Sequence, residues 1–158
     1  MTLVLVLAAL VVVLDQITKS IALAHLIPGH PIVLAEKWLS LTLVMNPGLA
    51  FGLLGTIEPA WRWVVAALSI VALLILVRVA LRVLPTGGVL GVIAVGLIFG
   101  GAVGNLIDRA RFGAVVDFVD VHWHAWHWPA FNVADSAITV GVALLALRLL
   151  REPRGVTK

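Results

Sequence analysis

The sequence contains no cysteine among its 158 residues, and this absence removes three kinds of chemistry. A disulfide framework, a thiolate zinc site and a cysteine nucleophile are all excluded. Charge is scarce as well, since charged residues make up 12% of the chain and hydrophobic residues 62%. Soluble domains carry about twice as much charge and far less apolar surface. The excess apolar residues therefore predict a protein whose outer surface faces lipid.

The charge balance and the first residues exclude two further interpretations. The formal net charge of +3 is too small and too scattered to suggest a nucleic-acid partner. The opening stretch MTLVLVLAALVVVLDQ has no basic region before its apolar run and no convincing small-residue cleavage site. We therefore expect a retained membrane span and not a removed signal peptide.

Four segments are long and apolar enough to cross a bilayer, which takes about 20 residues. They cover roughly residues 3–26, 61–81, 88–107 and 131–150. The alternation of Leu39, Leu41 and Leu43 predicts a strand in the first long connection. The predicted fold is an all-α membrane protein, a four-transmembrane-helix bundle with a small β-rich extracytoplasmic loop region. We expect a single domain over residues 1–158.

The placement of basic residues predicts the orientation. Basic residues follow the second and fourth spans, which end on the same side: Arg78, Arg82, Arg148, Arg151, Arg154 and Lys158. The positive-inside rule makes this side cytoplasmic and places both termini inside. The opposite side carries tryptophans that suit an interfacial belt: Trp61, Trp63, Trp123, Trp126 and Trp128.

Threading the four spans up and down brings several polar residues to one membrane face. They come from three spans and one loop: Asp15, Lys19, Asn105, Asp108, Asp117 and Asp135. Ionisable groups at membrane depth are costly and usually functional. Their convergence from separate segments predicts a site at the extracytoplasmic face.

Simpler interpretations exist for each of the helical polar residues. Asp15 and Lys19 are four residues apart and could form a neutralising pair, with Lys19 extending outward to the headgroups. Asp108 and Arg109 could cap and anchor a helix, or orient a nearby carboxylate. Asn132 and Asp135 have the spacing of a helix capping box.

The loops hold two further candidate residues, Asn46 and Asp117. Asn46 precedes Pro47 and Gly48, so it could simply bond its own backbone in a turn. Asp117 lies between Val116 and Phe118, where an isolated carboxylate would be expensive.

The segment VHWHAWHWP places His122, His124 and His127 close together, as in a metal site. No carboxylate sits among them at a metalloprotease spacing. The interleaved tryptophans favour an interfacial anchor, and we expect no metal.

Gly96, Gly100 and Gly104 repeat every four residues along one helix face. Small residues at this spacing let two membrane helices approach closely. We therefore interpret these glycines as packing positions and not as part of a chemical site.

Five separated segments resemble the lipoprotein signal peptidases, the type II signal peptidases of bacteria. In chain order they are DQITK (15–19), NPGLAFGLL (46–54), GGAVGNLIDR (100–109), VVDF (115–118) and FNVADSAITVG (131–141). They cover nearly the whole chain in the family's order. The resemblance implies an aspartyl endopeptidase of the bacterial inner membrane that cuts prolipoproteins just before a diacylglyceryl-modified cysteine.

The resemblance also implies the site. Its catalytic pair would be Asp117 and Asp135. The supporting residues would be Asp15, Asn46, Asn105, Asp108, Arg109 and Asn132, and we add Lys19 as the neighbour of Asp15. The implied enzyme uses no metal or other cofactor. We expect a monomer whose partners are the membrane-embedded prolipoprotein and phospholipid.

Three alternative functions are compatible with a membrane protein that carries buried polar residues. A small transporter or proton channel would also use buried Asp, Asn and Lys residues, but the cytoplasmic half of the bundle is almost purely apolar. A Ser–Lys peptidase would need Ser136 to pair with Lys19, which the spacing does not support. A structural assembly protein would not need aspartates at one depth from three elements.

Overall fold

The computed structural model describes residues 1–48, 62–85 and 88–151. It contains four helices in this part of the chain: α1 (Thr2–His25), α2 (Arg62–Val83), α3 (Gly88–Phe112) and α4 (Val133–Arg151). Four strands lie between them: β1 (Ile32–Ala35), β2 (Leu39–Asn46), β3 (Val115–Trp123) and β4 (Trp126–His127). The fold is mostly helical with a small antiparallel sheet, as the sequence predicts.

Three helices of the described chain are long and apolar enough to cross a membrane. They are Thr2–His25, Gly88–Phe112 and Val133–Leu150. Their outward residues are large and apolar; Leu10 and Leu14 of α1, for example, are 55% and 56% exposed. Since exposed leucines at this density would be unfavourable in water, these surfaces suit lipid. Helix α2 has 22 residues and occupies the position predicted for the second span.

Glycines allow α3 to pack closely against α1 and α4. A Cβ on Gly100 would lie 2.7 Å from the Cβ of Val11 in α1, which is shorter than real contacts allow. Gly96 faces Leu7 of α1 in the same way, and Gly101 faces the backbone of Ala134 in α4. The packing interpretation is confirmed for Gly96 and Gly100, and α3 is the central helix.

The third helix is longer than the sequence pattern predicts. It continues from the expected end near residue 107 to Phe112, so Asp108 and Arg109 lie inside the helix. The amide of Gly113, whose φ is +68°, donates to the carbonyl of Arg109 at 3.0 Å and ends the helix. The helix continues beyond its apolar residues, because the arginines and the alanine that follow are good helix formers.

The sheet caps one end of the bundle. Its strand order is β1-β2-β3-β4 and every neighbouring pair is antiparallel. Strand β3 also exchanges backbone hydrogen bonds with the segment before α4, because Val119 and Phe131 bond each other in both directions at 2.9 and 3.0 Å. Phe118 packs beneath the sheet against Ala22 and Leu26 of the α1 end. These contacts fix β3 between the ends of α1 and α4.

Tryptophans surround the sheet. Trp123, Trp126 and Trp128 are between 44% and 59% exposed, and Trp38 meets Trp123 edge-on with ring centroids 3.8 Å apart. Their exposure at the sheet end is consistent with an interfacial belt. Trp61 lies outside the described residues, and the side chain of Trp63 is not described.

Candidate active site

The polar residues singled out from the sequence lie together where the helix bundle meets the sheet. Asp15 and Lys19 come from α1, and Asn105, Asp108 and Arg109 come from α3. Asn46 ends β2, Asp117 lies in β3, and Asn132 and Asp135 begin α4. Each of these side chains makes a hydrogen bond or an ion pair with another residue of the set, either with its side chain or with its backbone.

Lys19 is a buried cation at the base of this cluster. Its ammonium lies 2.8 Å from Oδ2 of Asp15 and 2.8 Å from Oδ2 of Asp108. It also donates to Oδ1 of Asn105 at 2.9 Å, so all three of its protons have acceptors. Because Lys19 is only 2% exposed, the alternative in which it extends to the headgroups is wrong. The intrahelical pair with Asp15 does form.

The two carboxylates beside Lys19 reach other elements. Oδ1 of Asp15 accepts from the amide of Ala134 at 2.9 Å, at the start of α4, where the helix dipole favours an anion. Oδ2 of Asp108 accepts from the amide of Val116 at 3.1 Å, at the start of β3. Asp15 and Asp108 therefore hold in place the two segments that carry Asp135 and Asp117.

Two neighbours of Asp15 were not predicted from the sequence to belong to the site. Nε2 of Gln16 donates to Oδ1 of Asp108 at 2.9 Å and to Oδ2 of Asp15 at 3.2 Å. A Cβ on Gly104 would lie 2.6 Å from Oδ2 of Asp15. A polar residue in an apolar helix, as Gln16 is, could have been predicted to belong to the site. Gly104 belongs to the glycine repeat, but the repeat does not indicate that a carboxylate packs against it.

Asp117 is held by two asparagine amides. Its Oδ1 accepts from Nδ2 of Asn132 at 2.7 Å, and its Oδ2 accepts from Nδ2 of Asn46 at 3.0 Å. The residue is 1% exposed. Burial raises the pKa of Asp117 to about 7, although the Asn46 hydrogen bond acts in the opposite direction. The nearby charge of Asp135 contributes to this raised pKa, so the carboxyl is poised between its two protonation states near neutral pH.

Asp135 is positioned by the capping box that the sequence predicts. Its amide donates to Oδ1 of Asn132 at 2.9 Å, and its Oδ2 accepts from the Asn132 amide at 3.3 Å. Its Oδ1 accepts from Nδ2 of Asn105 at 2.8 Å. Asn132 therefore contacts both Asp117 and Asp135. The residue that caps α4 also holds the two carboxyl groups in position.

Arg109 connects the helix bundle to the loop after β2. Its Nη2 donates to the carbonyl of Gly48 at 3.0 Å, and its Nη1 donates to the carbonyl of Asn105 at 3.4 Å. Asn46 accepts from the Gly48 amide at 3.0 Å, which is the turn predicted for Asn-Pro-Gly. The rest of the NPGLAFGLL segment lies outside the described residues.

A cleft of about 930 Å³ opens beside Asp117 and Asp135. Apolar side chains of α2, α3 and α4 form most of its wall, with Asn46, Asn105 and Arg109 near the carboxylates. The α2 contribution could not be predicted from the sequence, because the second span contains no motif. The wall includes Leu68, Ala72, Leu73, Leu76, Ile98, Ala102, Val115, Trp128, Phe131, Ile138 and Val140.

The Ser–Lys alternative does not fit these contacts. Oγ of Ser136 donates to the carbonyl of Asn132 at 3.0 Å, whereas all three protons of the Lys19 ammonium are directed at Asp15, Asp108 and Asn105. A general base must lie within hydrogen-bond reach of its nucleophile. Within the described residues, Lys19 bonds Asp15, Asp108 and Asn105 and does not serve as a base for Ser136.

Known proteins resemble this chain over almost its whole length. Lipoprotein signal peptidases of Syntrophotalea carbinolica and Pseudomonas aeruginosa are both 46% identical to it, over 148 and 146 residues. The first alignment covers 94% of this chain and 91% of the relative. The second covers 92% of this chain and 86% of the relative.

The fold and the sequence pattern agree with these relatives. A bacterial membrane enzyme solved by the in meso method at 2.3 Å resolution matches with a TM-score of 0.79 and 28% identity. That match covers 98% of this chain and 92% of the solved one. The sequence pattern of the family described as signal peptidase (SPase) II matches residues 7–151. The chain therefore belongs to the signal peptidase II family.

Proposed function

We propose that this protein is a membrane aspartyl endopeptidase that removes the signal peptide from diacylglyceryl-modified prolipoproteins, with Asp117 and Asp135 as its catalytic residues. One observation carries the assignment of the pair. The two carboxyl groups come from β3 and α4, share Asn132 as a hydrogen-bond partner and line one cleft. The family assignment supports prolipoproteins as the substrate class.

The proposed reaction uses one ionised and one protonated carboxyl group. Two carboxyl groups that share a site do not both ionise easily, and the raised pKa of Asp117 fits such a pair. The ionised group takes a proton from a water molecule, which attacks the scissile carbonyl carbon, while the protonated group donates to the carbonyl oxygen. Collapse of the tetrahedral intermediate breaks the C–N bond, and a carboxyl proton passes to the leaving amine.

The other polar residues position this pair. The amides of Asn46, Asn105 and Asn132 donate to the two carboxylates and fix their orientation. Each of the four carboxylate oxygens of Asp117 and Asp135 accepts one hydrogen bond from an amide. Each oxygen therefore has a lone pair left to bind water or substrate. Arg109 holds the Gly48 turn beside them and supplies a positive charge at the cleft.

The cleft suits a substrate that is already in the bilayer. Its walls between α2 and α4 are mainly apolar, so they can accommodate the acyl chains of a lipidated cysteine while the peptide reaches the carboxyl groups. In this proposal α2 also crosses the membrane, which gives four spans, and both termini are cytoplasmic. The site then lies at the extracytoplasmic face of the inner membrane, in a monomer surrounded by phospholipid.

The decisive test is cleavage of a diacylglyceryl-modified prolipoprotein by purified protein in detergent or lipid. Asp117→Asn and Asp135→Asn keep the side-chain shape and remove the carboxyl group, so each should lower kcat by at least about a thousandfold. Glu36→Gln removes an exposed acidic group between β1 and β2 and should leave cleavage unchanged.

Thermal unfolding of all variants shows that each has folded. Near-normal cleavage by either folded Asp variant would refute the proposed pair. If the wild type itself does not cut the lipidated substrate, the peptidase proposal fails, and proton flux in liposomes then tests the channel alternative.

A further inference from the structure

Asp120, His122 and His127 form a second polar cluster, away from the proposed catalytic pair, on the hairpin of β3 and β4. Asp120 and His122 are two residues apart on β3, which places them on the same strand face. His127 of β4 lies directly opposite His122 in the strand register. The two imidazole rings stack with centroids 5.0 Å apart and an interplanar angle of 25°.

The donor atoms of these residues are close enough to share one ion. Nδ1 of His127 lies 2.9 Å from Oδ1 of Asp120, and Nδ1 of His122 lies 3.8 Å from Oδ2 of Asp120. One donor atom from each residue lies within 4.8 Å of the other two. Tetrahedral zinc with bonds of about 2.0–2.1 Å separates its donors by about 3.3–3.4 Å. Small side-chain rotations therefore suffice to form the site.

His122 has a buried ring nitrogen that lacks a hydrogen-bond partner within the described structure, which favours a bound ligand. The residue is 8% exposed, and its Nδ1 has no hydrogen-bond partner within the described structure. The neighbouring Asp120 oxygen, at 3.8 Å, is too distant for a hydrogen bond. A buried polar atom without a partner is unfavourable. This nitrogen points towards the same carboxylate that His127 contacts, so a cation bound there would satisfy it.

We infer that Asp120, His122 and His127 form a zinc-binding site that ties β4 to β3. Two imidazole nitrogens and one carboxylate oxygen are established zinc ligands, and water completes the tetrahedron. His127 has a side chain that is 55% exposed, which gives the ion a route from solvent. The sequence favours an interfacial anchor here, because tryptophans interleave the histidines and no carboxylate sits among them at a metalloprotease spacing. Folding brings Asp120 to them.

The proposed ion has a structural role. Strand β4 continues directly into Trp128 and Phe131, which form part of the cleft wall. Since β4 has only two residues, few backbone hydrogen bonds hold it to β3. The zinc site adds a cross-link at this point and stiffens the segment that leads into α4. It takes no part in the proposed proton transfers, so it can be tested separately.

The test measures zinc bound to the untagged full-length protein in detergent. The protein is stripped with a chelator, dialysed against zinc, desalted and analysed for metal content, and its affinity is measured against a chromophoric chelator. The wild type should retain one zinc per chain. His127→Gln and Asp120→Asn should each weaken zinc binding at least about tenfold. Zinc should also raise the Tm of the wild type and not that of His127→Gln.

His124→Asn is the matched control. His124 lies in the turn of the same hairpin with φ +53°, outside the cluster, and asparagine tolerates this backbone conformation. This variant should bind zinc as the wild type does. The inference is overturned if the wild type retains much less than one zinc per chain. It is also overturned if folded His127→Gln and Asp120→Asn both bind as tightly as the wild type, or if His124→Asn loses as much binding as they do.

Discussion

Asn132 shows how one side chain can serve folding and chemistry together. Its Oδ1 accepts the Asp135 amide and so begins α4, while its Nδ2 donates to Asp117 at 2.7 Å. An ordinary capping asparagine would satisfy only the helix end. The local sequence predicts the cap, but the contact with Asp117 depends on β3 being brought against the start of α4.

The pKa of Asp117 makes a prediction about stability. In the unfolded chain this carboxyl has a pKa near 3.8, whereas burial in the fold raises it to about 7. Between these values the folded protein binds a proton that the unfolded chain does not. The contribution of Asp117 to the free energy of unfolding is therefore fully present below about pH 4 and is lost as the pH rises through about 7.

The measurement is thermal unfolding between pH 4 and 8. The wild type should lose stability over this range more steeply than Asp117→Asn, which has no proton to exchange at this position. Glu36→Gln should follow the wild-type slope. Parallel curves for the wild type and Asp117→Asn would show that Asp117 titrates similarly in the folded and unfolded states.

Among the elements, α3 connects the others. Glycines set its close approach to α1 and α4, and its polar end meets Lys19, Asp15 and the start of β3. Apolar runs predicted the positions of the helices well, and the strand around Leu39–Asn46 followed from alternation. The predicted end of α3 is about five residues too early, because hydropathy drops before the helix ends at Phe112. The inward direction of Lys19 depends on partners from α3, which a local pattern in α1 does not contain.

Replacing Lys19 tests this connection between helices. Lys19→Met keeps the length and removes the ammonium, which leaves Asp15 and Asp108 buried without their shared cation. Breaking a buried ion pair by removing one partner costs about 3–5 kcal/mol. The variant should therefore unfold at a clearly lower temperature or denaturant concentration. Lys37→Met removes an exposed lysine and should leave unfolding unchanged. Equal unfolding of both variants would mean that the buried cation adds no net stability.

At the scale of the whole molecule, a polar site faces an apolar cleft in a protein covered by exposed leucine, isoleucine and valine side chains. Composition predicted the lipid-facing surface. The sequence also predicted most of the polar cluster, because up-and-down threading brings its residues to one face and separated family motifs contain them. Gln16 was missed. The cleft could not be predicted from the sequence, since its α2 wall consists mainly of apolar residues indistinguishable from those that face lipid.

Filling the cleft should impair cleavage without unfolding the protein. Ala72→Trp places a large side chain in the cleft from α2, so it should lower kcat/KM for the lipidated prolipoprotein by at least about tenfold. Leu74→Trp makes a similar change in the same helix at a position that is 63% exposed and outside the cleft wall. Cleavage kinetics and thermal unfolding of both variants provide the comparison. Equal kcat/KM values for the two would argue against substrate binding in this cleft.

The position of Asp135 in the first turn of α4, with Asn132 as the cap of that helix, also bears on how the protein is made. Synthesis proceeds from the N-terminus, so Asp15, Asn46, Asn105 and Asp117 all leave the ribosome before Asp135 does. Asp117 then lacks the Asn132 amide, and the second carboxyl group is absent, until α4 enters the bilayer. On the proposed mechanism, a chain that lacks α4, or whose α4 has not yet inserted, is inactive, and proteolytic activity begins only once α4 is in place.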